Sequence, residues 1–273
     1  MIRFIKSHGL GNDYLVLCSG ETLSAEMVVR VCHRHQGLGA DGILEPVSGR
    51  DGRQGLRIWN PDGSTAEKSG NGLRIFARWL HDHRGAGNSF EVDVPAGPAR
   101  CQVHEDGCVT VDMGAPIFDP SKIPTREPLW QRPLDVEGET LSLCAVSVGN
   151  PHCVVPVMSG ACLDSLPWER WGAFLEVHEF FPARTNVQFL CPIHHDRIEI
   201  RIWERGAGST MASGSSAVAA YSVARKLGWV GCNARVQMPG GDLLVEERVG
   251  GFLFQTGPVE EIGVMEMRAG VPK

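Results

Sequence analysis

Short alternating or β-branched stretches recur along the whole chain, and this pattern predicts β-strands separated by turns. In the first half these stretches are 2–5, 14–17, 55–59, 90–94, 101–103 and 109–113. In the second half they are 141–148, 153–157, 186–190, 198–203, 235–238, 243–247 and 252–255. Turn-forming sequences such as Glu105-Asp106-Gly107 and Pro239-Gly240-Gly241 lie between them, which favours many short strands.

Three further stretches predict helices. Residues 73–83 place Leu73, Phe76 and Leu80 on one face, the spacing of an amphipathic helix. Residues 217–227 are small and apolar on nearly all sides, as in a buried helix, and residues 23–34 predict a third helix. Many strands with one central helix in each half indicate an α+β fold.

The two halves of the chain repeat one pattern. Arg57-Ile58-Trp59-Asn60 matches Arg201-Ile202-Trp203-Glu204 at an offset of 144 positions, and Ser69-Gly70 falls on Ser213-Gly214 at the same offset. Upstream, Gly11-Asn12 matches Gly149-Asn150 at an offset of 138. Matched blocks in the same order predict a duplicated domain, with the proline-rich stretch 115–133 as the connection.

Composition narrows the class of protein. The 273 residues are 42% apolar and 21% charged, with a formal net charge of −6, so a basic nucleic-acid-binding surface is not expected. The chain has no run of about 18 apolar residues and no basic leader followed by an apolar segment, so neither a membrane span nor a secretion signal is expected. Nine cysteines without a CxxC pair predict buried free thiols and a cytoplasmic location.

Both halves place a Ser-Gly pair directly before a predicted helix. A helix start leaves backbone N–H groups unpaired and carries a partial positive charge, and glycine lets an anion approach closely. A serine there is also an ordinary helix cap, but two such pairs at equivalent places favour a carboxylate site. We expect Ser69 and Ser213 to face each other across a cleft between the halves, with their Oγ atoms about 5–7 Å apart in a closed form.

A polar loop adds a charged pair, Glu204 and Arg205, next to Gly206 and Gly208. Such a pair can be a weak surface ion pair. It also suits an amino-acid ligand, because Arg binds a carboxylate through two parallel hydrogen bonds and Glu binds an ammonium group.

Six blocks resemble, in order and spacing, the signature blocks of diaminopimelate epimerases: HGLGND (8–13), GADG (39–42), NPDGSTAEKSGNG (60–72), GNPH (149–152), RTN (184–186) and ERGAGSTMASGS (204–215). The resemblance covers nearly the whole chain and is closer than that to proline racemases or phenazine-biosynthesis isomerases. It implies two pseudo-symmetric domains, each a strongly curved, antiparallel-rich β-sheet wrapped around a central α-helix. We expect residues 1–118, completed by the C-terminal segment 260–273, to form one domain, and residues 119–259 to form the other.

The resemblance also implies a reaction and its residues. One group removes the α-proton of an amino acid and a partner returns a proton on the opposite face, without a metal or another cofactor. The implied acid/base residues are Ser69 and Ser213, with His152 and Glu204 in support. The implied substrate-binding residues are Asn12, Asn60, Gly70, Asn71, Asn150, Asn186, Glu204, Arg205, Gly214 and Ser215. The expected partner is a small amino-acid substrate, with no nucleic acid and no membrane, and a homodimer is left open.

At its centre the chain departs from the family pattern. The family has cysteines where Ser69 and Ser213 stand, and Lys68 and Ser215-Ser216 differ from the pattern as well. A thiol has a pKa of about 8.5 and an alkanol is a weaker acid by about 5 units, which corresponds to roughly 7 kcal/mol or five orders of magnitude in rate. A serine base therefore needs a group that takes its proton, and His152 and Glu204 are the candidates.

Three functions remain open at this point. The chain can be a true epimerase with a different proton relay, an isomerase or dehydratase that uses one serine base on another amino acid, or a non-catalytic amino-acid-binding homologue. Metal chemistry is not expected, because the histidine pairs at 33/35, 81/83 and 194/195 lack an acidic or cysteine partner at ligand spacing.

Overall fold

The computed structural model describes residues 1–157, 160 and 162–268. They form two compact units: Met1–Val111 joined by the chain from Gly257 onwards, and Asp112–Thr256. Residues 269–273 of the predicted C-terminal segment lie outside the described residues.

The strands are β1 (Ile2–Gly9), β2 (Asn12–Leu17), β3 (Ile43–Ser48), β4 (Gln54–Trp59), β5 (Thr65–Ala66), β6 (Ser89–Val94), β7 (Gly97–Val103), β8 (Cys108–Gly114), β9 (Arg132–Val136), β10 (Glu139–Ser147), β11 (Pro151–Pro156), β12 (Asn186–His194), β13 (Arg197–Glu204), β14 (Gly208–Ser209), β15 (Asn233–Met238), β16 (Gly241–Arg248), β17 (Phe252–Pro258) and β18 (Glu260–Met267). The α-helices are α1 (Ala25–Cys32), α2 (Gly70–Arg84), α3 (Trp168–Glu176) and α4 (Gly214–Lys226). Short 3₁₀ turns occupy Arg50–Gly52, Pro120–Lys122 and Leu163–Ser165.

Strand pairing in the first unit is mainly antiparallel. β1 pairs antiparallel with β2 and with β18, and β2 pairs in parallel with β3. β4 pairs antiparallel with β3 and β5 and in parallel with β6, and β6 continues antiparallel through β7 to β8.

The second unit repeats this order strand for strand. β10 pairs antiparallel with β11 and with β9, and β11 pairs in parallel with β12. β13 pairs antiparallel with β12 and β14 and in parallel with β15, and β15 continues antiparallel through β16 to β17. Every pairing keeps its direction, which confirms the predicted repeat and the α+β fold.

One helix is central in each unit. α2 packs against β1, β2 and β7, and its residues from Gly70 to Ala77 are buried. α4 packs against β10 to β13 and against β15 and β16. Ala217, Ala219 and Ala220 are fully buried in it, so strands approach this helix closely on several sides, as its apolar surface predicted.

A smaller helix covers a separate core in each unit. Val28 and Val31 of α1 pack with Phe4 and Leu15, while in the second unit Trp171 and Leu175 of α3 pack with Val187 and Phe189. The sequence analysis missed α3, although Trp168, Trp171, Gly172 and Leu175 have the spacing of an amphipathic helix.

The strand predictions are confirmed with extensions at the ends, but some strands were missed. β3 contains Pro46, which does not favour a strand. β18 is rich in Glu and is exposed or half-buried along its length, and although Met265 and Met267 pack against the core, its sequence shows little apolar alternation. β9 has five residues and begins within the proline-rich stretch.

The cysteine prediction is confirmed in part. All nine cysteines are within the described residues and are free thiols. Cys32, Cys101, Cys144, Cys153 and Cys191 are buried, whereas Cys162 and Cys232 are exposed. Within the described ranges, none of the helices has the length and apolar character to cross a bilayer.

Candidate active site

The turn between β1 and β2 brings Asn12 to the start of α2. Leu10 (φ 58°) and Gly11 (φ 88°) form this turn in the left-handed region of backbone conformation. Asn71 Nδ2 donates to Asn12 Oδ1 at 3.0 Å, and Asn12 Nδ2 donates to Asp41 Oδ2 at 2.8 Å. Two of the predicted substrate-binding residues, Asn12 and Asn71, therefore contact each other.

A cluster of charged side chains holds Asp41, the residue that accepts a hydrogen bond from the Asn12 side chain. Arg34 Nη2 donates to Asp13 Oδ1 at 2.8 Å and to Asp41 Oδ1, and Lys6 Nζ lies 2.9 Å from Asp13 Oδ2. Burial acts to raise the pKa of Asp13, but hydrogen bonds from Arg34 and Lys6 outweigh it and lower that pKa. For Asp41, burial and the charge of Asp13 raise the pKa. The cluster fixes the acceptor that holds the Asn12 amide.

Arg74 determines the orientation of Asn71. Its guanidinium is fully buried in α2, and Nη2 donates to Asn71 Oδ1 at 2.7 Å. Burial lowers the pKa of Arg74 to about 10, a value at which it stays charged near neutrality. Because Arg74 can only donate, the Asn71 oxygen must face it, and the Asn71 NH₂ group then faces Asn12.

Ser69 is the N-cap of α2. Its Oγ accepts a hydrogen bond from Gly72 N–H at 3.0 Å, and its carbonyl accepts from Leu73 N–H at 2.9 Å. The same Oγ lies 3.2 Å from the phenolic oxygen of Tyr14. The predicted capping role and a second polar contact thus occur on one hydroxyl.

Asn60 lies in a different local arrangement. It begins the turn between β4 and β5, where its Nδ2 donates to Ser64 Oγ at 2.9 Å. Asp62 Oδ1 accepts from the N–H and the hydroxyl of Ser64. These described bonds hold Asn60 within its own turn and do not join it to Asn12 or Asn71.

In the second unit His152 occupies the interior next to Asn150. Its Nε2 lies 2.9 Å from Asn150 Oδ1 and its Nδ1 lies 3.2 Å from Gln188 Oε1. Gln188 Nε2 donates in turn to Ser216 Oγ at 3.0 Å. Burial lowers the pKa of His152 to about 3, so the ring is neutral near pH 7 and accepts a proton poorly. These contacts make His152 a support for Asn150 and the first turn of α4.

Asn186 anchors the loop that carries Arg205. Its Nδ2 donates to the carbonyl of Pro151 at 3.0 Å, and its Oδ1 accepts from Arg205 N–H at 3.0 Å. The Arg205 side chain is exposed, and its Nη1 donates to the carbonyl of Ala183 at 3.3 Å. Both amide ends of the buried Asn186 are occupied by backbone, so this residue shapes the loop.

Glu204 connects the polar loop to Ser213. Glu204 Oε2 accepts from Ser213 Oγ at 3.3 Å, and Oε1 accepts from Thr210 Oγ1 at 2.9 Å. Ser213 Oγ also lies 3.5 Å from Ser215 Oγ, and Ser213 makes no capping bond to α4. The hydroxyl of Ser213 is therefore directed at a carboxylate instead of at its own helix.

Close packing holds the start of α4. A Cβ at Gly214 would lie 2.6 Å from Gln255 Oε1 and 2.7 Å from Gln255 Nε2, so a larger residue would displace this buried amide. At the start of α2, a Cβ at Gly72 would lie 3.0 Å from Leu44 and 3.2 Å from Ser69 Oγ. Gly70 and Gly214 are the first residues of their helices, where N–H groups precede the first intrahelical bonds.

The sequence analysis missed Tyr14, Asp41, Arg74, Gln188 and Thr210, which all contact residues that it did name. Three of them could have been found: Asp41 lies in the GADG block, Tyr14 follows the HGLGND block directly, and Thr210 lies in the block 204–215. Gln188 has no distinguishing pattern, since only the fold brings it to His152.

The expectation that the paired histidines lack an acidic partner at metal-ligand spacing is wrong for the pair 194/195. His194, His195 and Asp196 bring their ligand atoms within 4.8 Å of one another at the turn between β12 and β13. All three are exposed, and His194 Nδ1 lies 2.7 Å from Asp196 Oδ1. Asp196 was overlooked because it follows the pair directly, where spacing rules for helices and strands do not apply.

Known sequences resemble the chain over almost its full length. The family model described as diaminopimelate epimerase matches residues 4–118 and 144–262. The diaminopimelate epimerase of Prochlorococcus marinus is 39% identical over 280 residues, covering 96% of this chain and 91% of the relative. That of Alkalilimnicola ehrlichii is 40% identical over 279 residues, covering 98% and 99%.

Solved structures share the fold at low sequence identity. A phenazine biosynthesis protein of the PhzF family from Bacillus anthracis aligns with a TM-score of 0.72 at 16% identity, covering 98% of this chain and 99% of that one. A hydroxyproline epimerase from Agrobacterium vitis aligns with a TM-score of 0.69 at 14% identity, covering 97% and 90%. These two matches describe the fold, whereas the full-length sequence matches are specific: the chain belongs to the diaminopimelate epimerase family.

Proposed function

We propose that this chain is a cofactor-independent amino-acid epimerase that interconverts LL- and meso-diaminopimelate in lysine and peptidoglycan precursor synthesis. The observation that carries the proposal is the bond from Ser213 Oγ to Glu204 Oε2 at the start of α4. In a chain of this family, it supplies the missing requirement of a serine base, namely a nearby group that takes its proton.

The proton transfer at Ser213 follows from this contact. As the α-C–H bond of the substrate breaks, Ser213 Oγ takes the proton and its own hydroxyl proton passes to the Glu204 carboxylate. The electron pair of the broken bond stays on the α-carbon, next to the substrate carboxylate. A carboxylate can only accept, so the hydroxyl points to Glu204 and leaves an Oγ lone pair for the α-proton.

This arrangement favours one of the two predicted roles of Glu204. Its two carboxylate oxygens accept hydrogen bonds from Thr210 and Ser213, which suits a proton acceptor better than an ammonium-binding group. Arg205 remains the candidate for a substrate carboxylate, because its side chain is exposed and a guanidinium offers parallel donors.

The helix starts are the proposed site of the substrate α-carboxylate. The N–H groups of Gly70 and Asn71 in one unit, and of Gly214 and Ser215 in the other, precede the first intrahelical hydrogen bonds. Asn12, Asn60, Asn150 and Asn186 are proposed to bind or frame the rest of the amino acid. The separation of Ser69 Oγ from Ser213 Oγ, the domain boundaries at residues 118 and 259, and a cytoplasmic homodimer stay predictions.

The direct test is deuterium exchange. The full chain is incubated with LL-diaminopimelate in heavy water, and α-deuteration is followed by mass spectrometry while the meso isomer is separated by chiral chromatography. We expect both deuteration and the meso isomer, and neither in a folded Ser69→Ala/Ser213→Ala control.

Other outcomes point to the alternatives. Exchange without inversion, or release of a keto acid from another amino acid, would replace the epimerase with a one-base isomerase or dehydratase. Tight binding in calorimetry without exchange would indicate an amino-acid-binding homologue. Absence of exchange and of binding, in protein shown to be folded, would overturn the proposal.

A further inference from the structure

Tyr14 is fixed against the hydroxyl of Ser69. It is 8% exposed in β2, and its phenolic oxygen lies 3.2 Å from Ser69 Oγ. Gly42 packs against the ring so closely that a Cβ there would lie 2.7 Å from a ring carbon. The ring therefore has little room to turn away, and packing holds its hydroxyl next to that of Ser69.

The internal repeat shows that this contact is peculiar to the first unit. At the offset of 138 positions, Tyr14 corresponds to His152. His152 contacts Asn150 and Gln188, while Ser213 takes Glu204 as its partner. Each serine thus has a proton-exchanging neighbour, but the two neighbours come from different places in the repeated unit.

The hydrogen-bond capacity of Ser69 allows two arrangements. A serine hydroxyl has one donor and two acceptor positions, and Gly72 N–H occupies one acceptor position. When Tyr14 donates to the second, the Ser69 proton is directed at a ligand, and the serine is an acid. When Ser69 donates to Tyr14, a lone pair is directed at the ligand, and the serine is a base.

We propose that Tyr14 is a positioning residue that acts through Ser69: it directs the serine hydroxyl and resupplies its proton during the reaction. The inference rests on the proposed epimerase function. In the step, the Ser69 O–H bond breaks and its proton forms the new C–H bond with the electron pair of the α-carbanion. The Tyr14 O–H bond breaks and its proton moves to Ser69 Oγ. The negative charge ends on the phenolate oxygen, which regains a proton from solvent.

The chemistry of the two hydroxyls favours this direction. A phenol, with a pKa of about 10 in general, is a stronger acid than an alkanol by several units. Tyr14 can therefore carry the charge that Ser69 alone would hold at great cost. The Gly72 N–H donor remains on Ser69 Oγ throughout and stabilises partial charge there.

Charged groups on the neighbouring elements have partners of their own. On β1, Lys6 pairs with Asp13, and His8 Nε2 lies 3.4 Å from Glu260 Oε2. Asp41, before β3, accepts from Asn12 and Arg34, and Arg74 in α2 donates to Asn71.

A double-mutant cycle separates proton resupply from mere packing. Tyr14→Phe removes only the hydroxyl, and we expect kcat for deuterium exchange at the α-carbon to fall about 10²-fold or more, with little change in KM. In a Ser69→Cys background the thiol supplies its own proton, so the same Tyr14→Phe change is expected to cost less than about threefold. A packing role would cost the same in both backgrounds.

The chain offers a matched control, because it has two tyrosines. Tyr221 OH donates to the carbonyl of Gly231 at 3.1 Å in the other unit, so Tyr221→Phe is the same chemical change away from Ser69. It is expected to leave kcat within about twofold. A second readout is the pH dependence of kcat/KM. The decrease at alkaline pH seen in the parent chain should be lost in Tyr14→Phe. In Ser69→Cys it should move to lower pH, because a thiol replaces the phenol as the ionising donor.

The outcomes keep this inference apart from the proposed function. If the parent chain catalyses no exchange, the epimerase proposal fails. If the parent chain exchanges but Tyr14→Phe keeps its rate and its decrease at alkaline pH, or loses equally in both backgrounds, the role of Tyr14 is overturned while the epimerase stands.

Discussion

The starts of α2 and α4 have equivalent backbones but different hydrogen-bond partners. Ser69 accepts from its own helix and contacts Tyr14, whereas Ser213 donates to Glu204 and makes no capping bond. A carboxylate can only accept, so Ser213 is the donor to Glu204, whereas either hydroxyl can donate between Ser69 and Tyr14. The repeated fold determines where the two hydroxyls lie, and the surrounding side chains determine their hydrogen-bond partners.

The neighbours of the two serines exchange places within the repeated unit. The residue at the β2 position contacts the serine in the first unit, where it is Tyr14, but not in the second, where it is the buried His152. Asn60, which follows β4, corresponds to Glu204, which ends β13. Here the serine contact occurs in the second unit only: Glu204 bonds Ser213, whereas Asn60 bonds Ser64 in its own turn. Duplication followed by divergence can therefore move the hydrogen-bond partner of the serine without moving the helix start.

The largest expected effect comes from restoring thiols at both helix starts. Ser69→Cys/Ser213→Cys should raise kcat for LL-to-meso conversion by up to about five orders of magnitude, because a thiol ionises about 5 units below an alkanol. The single variants sharpen the comparison by showing which serine limits the rate. Equal or lower activity in the folded double variant, measured by chiral chromatography, would contradict a proton-transfer role for both positions.

Removal of the carboxylate partner should be the next largest effect. Glu204→Gln keeps the shape of the side chain but cannot take the proton of Ser213, so we expect kcat to fall about 10²- to 10³-fold. Glu247→Gln is the matched control, because Glu247 bonds Arg225 on the surface of the same unit. A rise in KM with unchanged kcat would instead assign Glu204 to substrate binding.

His152 provides a pH-dependent difference between the units. Its folded pKa of about 3 lies below the ordinary 6.5, so the unfolded chain binds the proton more readily, and stability falls as the pH drops from about 6.5 towards about 3. The slope of about 1.4 kcal/mol per pH unit predicts a loss of roughly 2 kcal/mol between pH 6.5 and pH 5. Urea unfolding at both pH values should show this loss in the parent chain and not in a folded His152→Gln variant.

The smallest expected effect tests the capping difference directly. Ser69→Ala removes a cap from α2 and should lower the free energy of unfolding by about 1 kcal/mol. Ser213→Ala removes no cap from α4 and should cost less. Equal losses in thermal or urea unfolding would mean that the two helix starts are energetically alike despite their different contacts.

Much of this fold follows from short-range pattern. Alternating apolar residues predicted the long strands, helical spacing predicted α2, and a small, apolar surface on nearly all sides predicted α4. The repeat predicted the duplicated topology because similar sequences favour similar local structure. The sequence also placed Ser69 and Ser213 at helix starts, since a Ser-Gly pair before an apolar periodic stretch is a local signal.

The hydrogen-bond partners of the two serines could not be predicted from short-range pattern. Tyr14 and Ser69 are 55 residues apart along the chain and meet through the packing of β2 against the start of α2. The sequence indicated His152 as a proton acceptor, but burial lowers its pKa to about 3. The sequence by itself determined the repeat, the family pattern and the loss of both thiols. Only the tertiary structure decided which group lies within hydrogen-bond distance of each serine, because that depends on contacts between distant segments and on how much water those contacts exclude.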